Sequence, residues 1–508
     1  MKNTILLLNF LPATEESYQK KGSIYPSTAS MLIGTVLKNK GYSVKIIDGA
    51  YHENYLELLK DSLNDDVIYV GMTVMTTQIP FALEAAKVIK QTKENIPVIW
   101  GGPHPTLFPK QVLQNNNIDI VVINEGAITS VELADTLKNR LDLNTIKGIG
   151  YKDENRQLHF TEARDLDNFE ELPYLDFSLI ELDHYLNTQS QSVYQREFPH
   201  YDGKIKLLPI LTALGCPYRC TFCINVILKR KYRMRSALSI VEEIKKLMKE
   251  YDVNTFLFFD EDFFVNKNRA LEFLSLIEKE HLHFNWRMWC RVDHFKENYI
   301  NDDFIERLAR VGHGSLVMGG ESANQTILDN LCKGITPEQI KHSLNVISRT
   351  KNITPRYSFM VGLENETMDE IINTYRFCLE LIDINPNVDI AGPFIFRLYP
   401  GSLIYDRLVN FYNVNNPETL DEWIIFLKEE ISFTKIPWTP NKFQRNNHII
   451  QIYFDLASIR SKNKIKTFKN LIYHIIIKTA KIRIKYFGFS FPFEYWLLTW
   501  YLSRQTQK

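Results

Sequence analysis

The sequence predicts an α/β chain: an N-terminal doubly wound parallel sheet, a partial six-unit βα barrel, and a mainly helical C-terminal region. Two observations carry this. Short, continuous β-branched runs alternate with helical stretches in two separate series. The alternation lapses once, over residues 151–205, where periodicity is weak and Pro173 and Asp176 punctuate a polar segment.

In the first series the runs are Ile5–Asn9, Ser43–Ile47, Val67–Gly71, Val98–Trp100 and Ile118–Ile123. Unbroken apolar runs fit parallel strands covered on both faces. Ala29–Lys38 and Phe81–Lys93 are helical stretches between them. Residues 1–150 therefore form a Rossmann-like domain, with ligands expected at the strand carboxyl ends. Residues 151–205 read as a linker with a small sheet extension. The second series has runs at Leu207–Ala213, Thr255–Phe259, Asn285–Met288, Ser315–Met318, Arg356–Val361 and Ile390–Phe396. Leu238–Glu250, Arg269–Glu280 and Pro337–Ser348 supply helices. Residues 206–410 are the barrel, whose chemistry belongs on loops after the strands. Residues 411–508 read as a helical, basic and aromatic region.

The 508 residues allow several domains, and 45% apolar composition allows sizeable cores. Formal net charge is zero, so bulk charge gives a nucleic-acid partner no support. The charge is uneven: from residue 441 onward there are 13 Lys and Arg against 2 Asp and Glu, which marks a separate C-terminal unit. The apolar Ile5-Leu6-Leu7-Leu8 is too short for a signal peptide, and no cleavage site follows it. No apolar stretch reaches the roughly 18 residues of a membrane span, so a cytoplasmic chain is expected.

Three of the six cysteines lie in Gly215-Cys216-Pro217-Tyr218-Arg219-Cys220-Thr221-Phe222-Cys223. Thiolates ligate iron–sulfur clusters, and the C-x₃-C-x₂-C spacing lets one loop bind several irons. Three ligands for four irons leave one iron open to a substrate or cofactor. Zinc would want a fourth ligand, and His200 has no finger-like spacing. Structural thiols would be unusual in such a cluster. Cys290, Cys332 and Cys378 are scattered and read as small buried apolar side chains.

This segment resembles the radical S-adenosylmethionine (SAM) superfamily. The resemblance implies a [4Fe–4S] cluster on Cys216, Cys220 and Cys223. Its open iron chelates SAM, and a 5′-deoxyadenosyl radical results. Phe222 would lie near the adenine. Phe258-Phe259-Asp260-Glu261-Asp262-Phe263 resembles the acidic loop after the second barrel strand. Trp289-Cys290-Arg291-Val292-Asp293 and Gly319-Gly320-Glu321-Ser322 resemble the segments after the third and fourth, where the Glu contacts SAM. Asp260, Arg291 and Glu321 are thereby candidate SAM contacts. Asp260 and Asp262 read equally as helix caps, and Arg291 as an ion-pair partner. Phe359-Met360-Val361-Gly362-Leu363 and Pro400-Gly401-Ser402 resemble the fifth strand and a turn near the barrel's end. After Leu363, Glu364-Asn365-Glu366-Thr367 departs from the family's proline-bearing loop.

At the N-terminal strand ends lie Gly71 to Thr77, Trp100-Gly101-Gly102-Pro103-His104 and Ile123-Asn124-Glu125-Gly126. Glycines there let backbone approach a large planar ligand. The arrangement resembles the cobalamin-binding domain that precedes many radical SAM barrels. It implies corrin contacts from Asp48, Thr73, Thr76, Gly101, Gly102, His104, Glu125 and Gly126. No Asp-x-His-x-x-Gly sequence supplies a lower ligand, since Asp48 and His52 are wrongly spaced, so base-off binding is expected. His104 reads alternatively as a turn histidine, and the domain as one that has shed its cofactor.

The leading reading is a cobalamin-dependent radical SAM methyltransferase acting on an unactivated carbon, using methylcobalamin as methyl source. A radical SAM cyclase or rearrangement enzyme with the same cofactors is the alternative, as in the anaerobic magnesium-protoporphyrin cyclase group. A non-catalytic cobalamin or iron–sulfur sensor is a third. Expected partners are a small-molecule or lipid substrate and an electron donor such as flavodoxin or ferredoxin, with no nucleic acid. Ile465–Lys485 and Gly488–Leu502 would pack on the barrel or make a peripheral membrane contact.

Overall fold

A computed structural model describes residues 3–10, 26–189, 191–432, 437–458 and 468–486. The first sheet has seven strands: β1 (Thr4–Asn9), β2 (Ser43–Asp48), β3 (Val67–Thr73), β4 (Val98–Gly101), β5 (Ile120–Val122), β6 (Ile149–Lys152) and β7 (Leu158–Phe160). Their order is β2-β1-β3-β4-β5-β6-β7. β1 to β5 pair in parallel, and β6 and β7 add an antiparallel extension. Every predicted run is a strand. β3 is buried over its first six residues because helices cover both faces, which is why it reads as unbroken apolar sequence. Ser27 accepts a hydrogen bond from Ser30 N and so starts the helix Thr28–Asn39. The order reverses between β1 and β3, which places ligand binding at that carboxyl edge.

The second sheet comprises β8 (Leu207–Ile210), β11 (Thr255–Phe258), β12 (Asn285–Cys290), β13 (Gly314–Glu321), β14 (Ile353–Val361) and β15 (Asp389–Ile395), ordered as in the chain. A two-residue ribbon, β9 (Ala213–Leu214) with β10 (Arg233–Met234), lies between β8 and β11 in sequence. All six predicted barrel runs are strands. β8 stops at Ile210, short of the expected Ala213, because Thr212 and Ala213 turn away to bond Asp260. Capping boxes at Thr336/Gln339 and Thr367/Glu370 start the helices Pro337–Ile347 and Met368–Ile384.

The chain divides into two compact units. One holds residues 1–196, 201–288 and 398–432; the other holds 197–200, 289–397 and 433–508. The division passes through β12, so it does not follow the 206–410 boundary expected from sequence. The later residues are helical at Leu403–Tyr412, Leu420–Ser432, Asn441–Ser458 and Phe468–Tyr486. The aromatic stretch Gly488–Leu502 lies outside the described residues, as does the start of the basic stretch Ile465–Lys485. No described helix is long and apolar enough to cross a membrane.

Cys290 and Cys378 are buried as expected, but Cys332 is exposed. It sits at φ +50° in the turn after the helix Gln325–Asn330, which aims its side chain outward.

Candidate functional site

The cysteine loop is built from its flanks inward. Asp260, two residues past β11, accepts hydrogen bonds from Thr212 N (3.1 Å), Thr212 Oγ1 (2.6 Å) and Ala213 N (2.8 Å). Arg269 reaches its other side at 3.3 Å, and both side chains are almost wholly buried. Asp260 is thus spent on protein groups and fixes the start of the cysteine loop; it has no free face for a cofactor. Asp262 does act as a cap, accepting from Phe264 N at 3.0 Å.

Gly215 has φ +78°, and a Cβ there would lie 2.5 Å from the Lys231 carbonyl oxygen. Only glycine lets the ribbon strand β10 press this close to the residue before Cys216. Cys216 and Cys223 are half-buried and Cys220 is buried. Phe222 between them is half-buried. Cys223 N donates to Cys220 O at 3.0 Å, tightening the loop. Among the described residues, no three His, Cys, Asp or Glu side chains converge on one point as a single metal ion requires. A cluster that gives each thiolate a separate iron needs no such convergence. Burial pushes the Cys216 thiol up to about 11, and Asp262, Cys223 and Glu261 add to the rise. The donor set therefore suits a cationic cluster core that can hold thiolates ionised, and binding would release protons.

The turn Pro400-Gly401-Ser402 closes over this loop. A Cβ on Gly401, at φ +88°, would meet Leu107 at 2.7 Å and Ile224 at 3.1 Å. Ile404 N donates to Thr221 O at 3.1 Å. The same segment reaches the first sheet: Trp423 Nε1 donates to Gln111 Oε1 at 2.9 Å, and its ring packs on His104 and Phe108.

At the carboxyl edge of the first sheet, the predicted corrin contacts separate into two groups. Thr73, Gly101 and Gly126 are partly accessible. A Cβ on Gly101 would meet only Val122 Cβ at 3.6 Å, so the space beside that strand end is open. Met75 and Ile128 are exposed apolar side chains from the same edge, which suits a broad, partly apolar ligand. Gly102 is different. It has φ +95°, and a Cβ would crowd Val74 N at 3.0 Å, so its glycine serves the turn itself.

The other group is occupied by protein. Asp48 accepts from Asn9 Nδ2 (3.1 Å), Ala50 N (2.9 Å) and the Tyr185 hydroxyl. His104 is fully buried, with Nδ1 3.2 Å from Thr76 Oγ1 and Nε2 enclosed without a partner. Burial pushes its imidazole down to about 3, so it stays neutral. Neither Thr76 nor His104 presents an open face for a corrin in this arrangement; the turn-histidine alternative fits His104. Glu125 accepts from Asp167 N (2.9 Å) and is gripped by both Arg233 terminal nitrogens, Nη1 at 2.9 Å. Arg233 belongs to β10, so this pair bolts the end of β5 to the ribbon beside the cysteines. Arg233→Met should lower stability by about 1–3 kcal/mol, because Glu125 loses its counterion and keeps only the Asp167 N–H as a partner. Denaturant unfolding of R233M, E125Q and the double variant would show a coupling between the sites; additive losses would contradict it.

In the second unit, β13 ends in a bulge that turns Glu321 into the left-handed region at φ +61°. A non-glycine residue held there marks a constrained position. Lys333 Nζ binds Glu321 Oε1 at 2.7 Å, with both side chains nearly buried. Gly319 makes room for the pair, since a Cβ would lie 2.1 Å from Glu321 Oε1. Arg291 donates to Lys333 O (2.5 Å) and to Asp293 Oδ1 (2.9 Å), so it holds the Lys333 turn as well as an ion pair. After β14, Glu366 Oε2 accepts from Gly362 N (2.6 Å) and Leu363 N (3.1 Å), while Oε1 is enclosed without a partner. Burial pushes its carboxyl up to about 8. The folded state therefore holds a proton that the unfolded chain gives up above its usual carboxylate range. This contribution to stability is full at low pH and falls by up to about 1.4 kcal/mol per unit as pH rises toward 8. Glu366→Gln should flatten the fall in Tm between pH 5 and 8; an unchanged slope would contradict the assignment.

Sequence reasoning missed Lys333, Arg233 and Arg269. Lys333 carried a signal, a lysine beside a glycine in a turn after the Glu321 strand. The arginines carried none, because their partners lie elsewhere in the chain.

The chain matches the Radical SAM superfamily over residues 210–378 and the B12 binding domain over residues 20–134. Radical SAM and B12-binding domains are thus both present in one enzyme, and its cofactors are a [4Fe–4S] cluster, SAM and cobalamin. Among its relatives is an uncharacterized methyltransferase of Pyrococcus horikoshii, 28% identical over 79% of this chain and 83% of that one. The anaerobic magnesium-protoporphyrin IX monomethyl ester cyclase of Rubrivivax gelatinosus is 28% identical over 76% of this chain and 67% of that one. In fold it is similar to the cobalamin-dependent S-adenosylmethionine radical enzyme OxsB, with TM-score 0.68, 18% identity, and coverage of 99% of this chain and 75% of that one. It is similar also to the radical S-adenosylmethionine methyltransferase TsrM of Kitasatospora setae, with TM-score 0.65, 15% identity, and coverage of 96% and 98%.

Proposed function

We propose that the chain is a methyltransferase that uses cobalamin and SAM to methylate an unactivated carbon of a small-molecule or lipid substrate. The observation that carries this reading is the direct tie between the two cofactor modules within one unit. Glu125 and Arg233 join the corrin-type sheet to the ribbon of the cysteine loop, and Gly401 wedges between Leu107 and Ile224. Modules so joined can serve one substrate in turn, which is what hydrogen abstraction followed by methyl delivery requires. Bound, the cofactors supply a 5′-deoxyadenosyl radical and a transferable methyl group.

The chain's own residues bind and orient. Cys216, Cys220 and Cys223 ligate the cluster. Thr73, Gly101 and Gly126 would border the corrin. Phe222 contacts the adenine of SAM. Glu321 receives a cationic group on the oxygen that Lys333 leaves unbonded. Asp260, Glu125 and Arg291 act through other protein groups. Electrons come from a flavodoxin- or ferredoxin-like donor.

The 28% identity to a magnesium-protoporphyrin cyclase supports a second reading, oxidative cyclisation with the same cofactors. An anaerobic assay with candidate substrates separates the two. Formation of both 5′-deoxyadenosine and S-adenosylhomocysteine supports methyl transfer. 5′-Deoxyadenosine without S-adenosylhomocysteine overturns it in favour of cyclisation.

A further inference from the structure

Tyr232 stands next to the cysteine loop. β9 and β10 pair antiparallel with Arg233 opposite Leu214 and Met234 opposite Ala213, and Tyr232 and Gly215 are the residues that follow this ribbon toward the cysteines. The backbone here is tightly apposed, with the Lys231 carbonyl against Gly215. Neighbouring strand residues point to opposite sides, so Arg233 and Tyr232 part company. Arg233 reaches Glu125. The Tyr232 hydroxyl is enclosed and has no hydrogen-bond partner, and the charges acting on it are those of Arg269, Asp260, Asp262 and Cys216.

Both Asp260 oxygens already take bonds from Thr212, Ala213 and Arg269. Asp262 Oδ1 takes one from Phe264 N. The Cys216 sulfur, once ionised by iron, is a further anionic acceptor in this group. A buried hydroxyl ordinarily finds a partner, and cluster sulfurs accept hydrogen bonds that set reduction potential.

We infer that Tyr232 is a positioning residue that donates a hydrogen bond to the sulfur of Cys216, or to a sulfide beside it, and so raises the potential of the cluster. The bond favours the reduced form because that form carries the extra negative charge. No bond is made or broken beyond the hydrogen bond, and the electron still comes from the external donor. The inference rests on the cysteines holding a [4Fe–4S] cluster.

The test compares the full chain, reconstituted anaerobically, with Tyr232→Phe and with a fluorinated tyrosine placed at 232. Iron and sulfide content come first: a wild type without a [4Fe–4S] complement overturns the cluster assignment itself. With the cluster present, redox titration followed by EPR reads the potential. Tyr232→Phe should shift it more negative, lowering the reduced-to-oxidised ratio at fixed poise on the order of fivefold, the weight of one ordinary hydrogen bond. It should also remove one exchangeable proton coupling from the reduced cluster. The fluorinated residue, a stronger donor, should shift the potential the other way. It decides the matter if the phenylalanine variant fails to load iron. An unchanged potential in an iron-replete variant overturns the inference.

Discussion

Cys220→Ala should abolish SAM cleavage while leaving corrin binding intact. Cys220 is the buried member of the triad, and its carbonyl receives the Cys223 N–H that tightens the loop. Its loss leaves two thiolates for four irons. Losing a mere supporting partner of a metal ligand costs about 10–100-fold, so losing the ligand itself should exceed that. The edge proposed to bind the corrin is built from other strands, β3 to β5, and its open positions Thr73, Gly101 and Gly126 do not involve the cysteine. The measurement is paired: 5′-deoxyadenosine by chromatography, and bound corrin by its visible spectrum. Cleavage persisting in C220A would sink the cluster assignment. Loss of corrin alongside the cluster would mean that the two modules fold as one.

Asp260→Ala should be the most destabilising of the single changes considered. Asp260 and Arg269 are buried together, and Asp260 also satisfies Thr212 N, Thr212 Oγ1 and Ala213 N. Burial raises its carboxyl, while Arg269 and Thr212 oppose the rise. Removing the carboxylate leaves a guanidinium without its counterion and two backbone donors without an acceptor. Breaking one side of a buried pair costs about 3–5 kcal/mol. Chemical denaturation of the apoprotein measures the loss directly. Asp260→Asn, which keeps one acceptor oxygen, should recover part of it. Equal stability of D260A and wild type would show that Asp260 does not anchor the loop. The assay is independent of SAM binding, so it separates anchoring from the cofactor contact first expected of this residue.

The partners of Asp260 show what was legible in the sequence. The strands were, because a parallel strand under two helical layers must be apolar on both faces, and β1 and β3 read that way from their residues alone. The cysteine spacing was legible because its ligands are neighbours in sequence. The roles of Asp260, Glu125 and His104 were not. Sequence placed each at a strand end, where ligands bind, but the direction of a side chain depends on partners far away. Glu125 is claimed by Arg233, 108 residues later. His104 is covered by Trp423, from a helix whose sequence shows only an apolar pattern. The ribbon β9–β10 escaped notice because two-residue strands leave no periodicity to detect.

The reach of Trp423 also bears on how the enzyme matures. Its bond to Gln111 closes a loop of 312 residues, and Ile404 clasps the backbone at Thr221 only after the whole second sheet has been made. Closing so long a loop is slow, and it must await synthesis of the later partner. A nascent chain therefore emerges with its cysteine segment unclasped through most of translation. Iron loading that depends on the clasped geometry is then an event of the finished polypeptide, and the cell must keep three nearby thiols reduced until the distant tryptophan arrives.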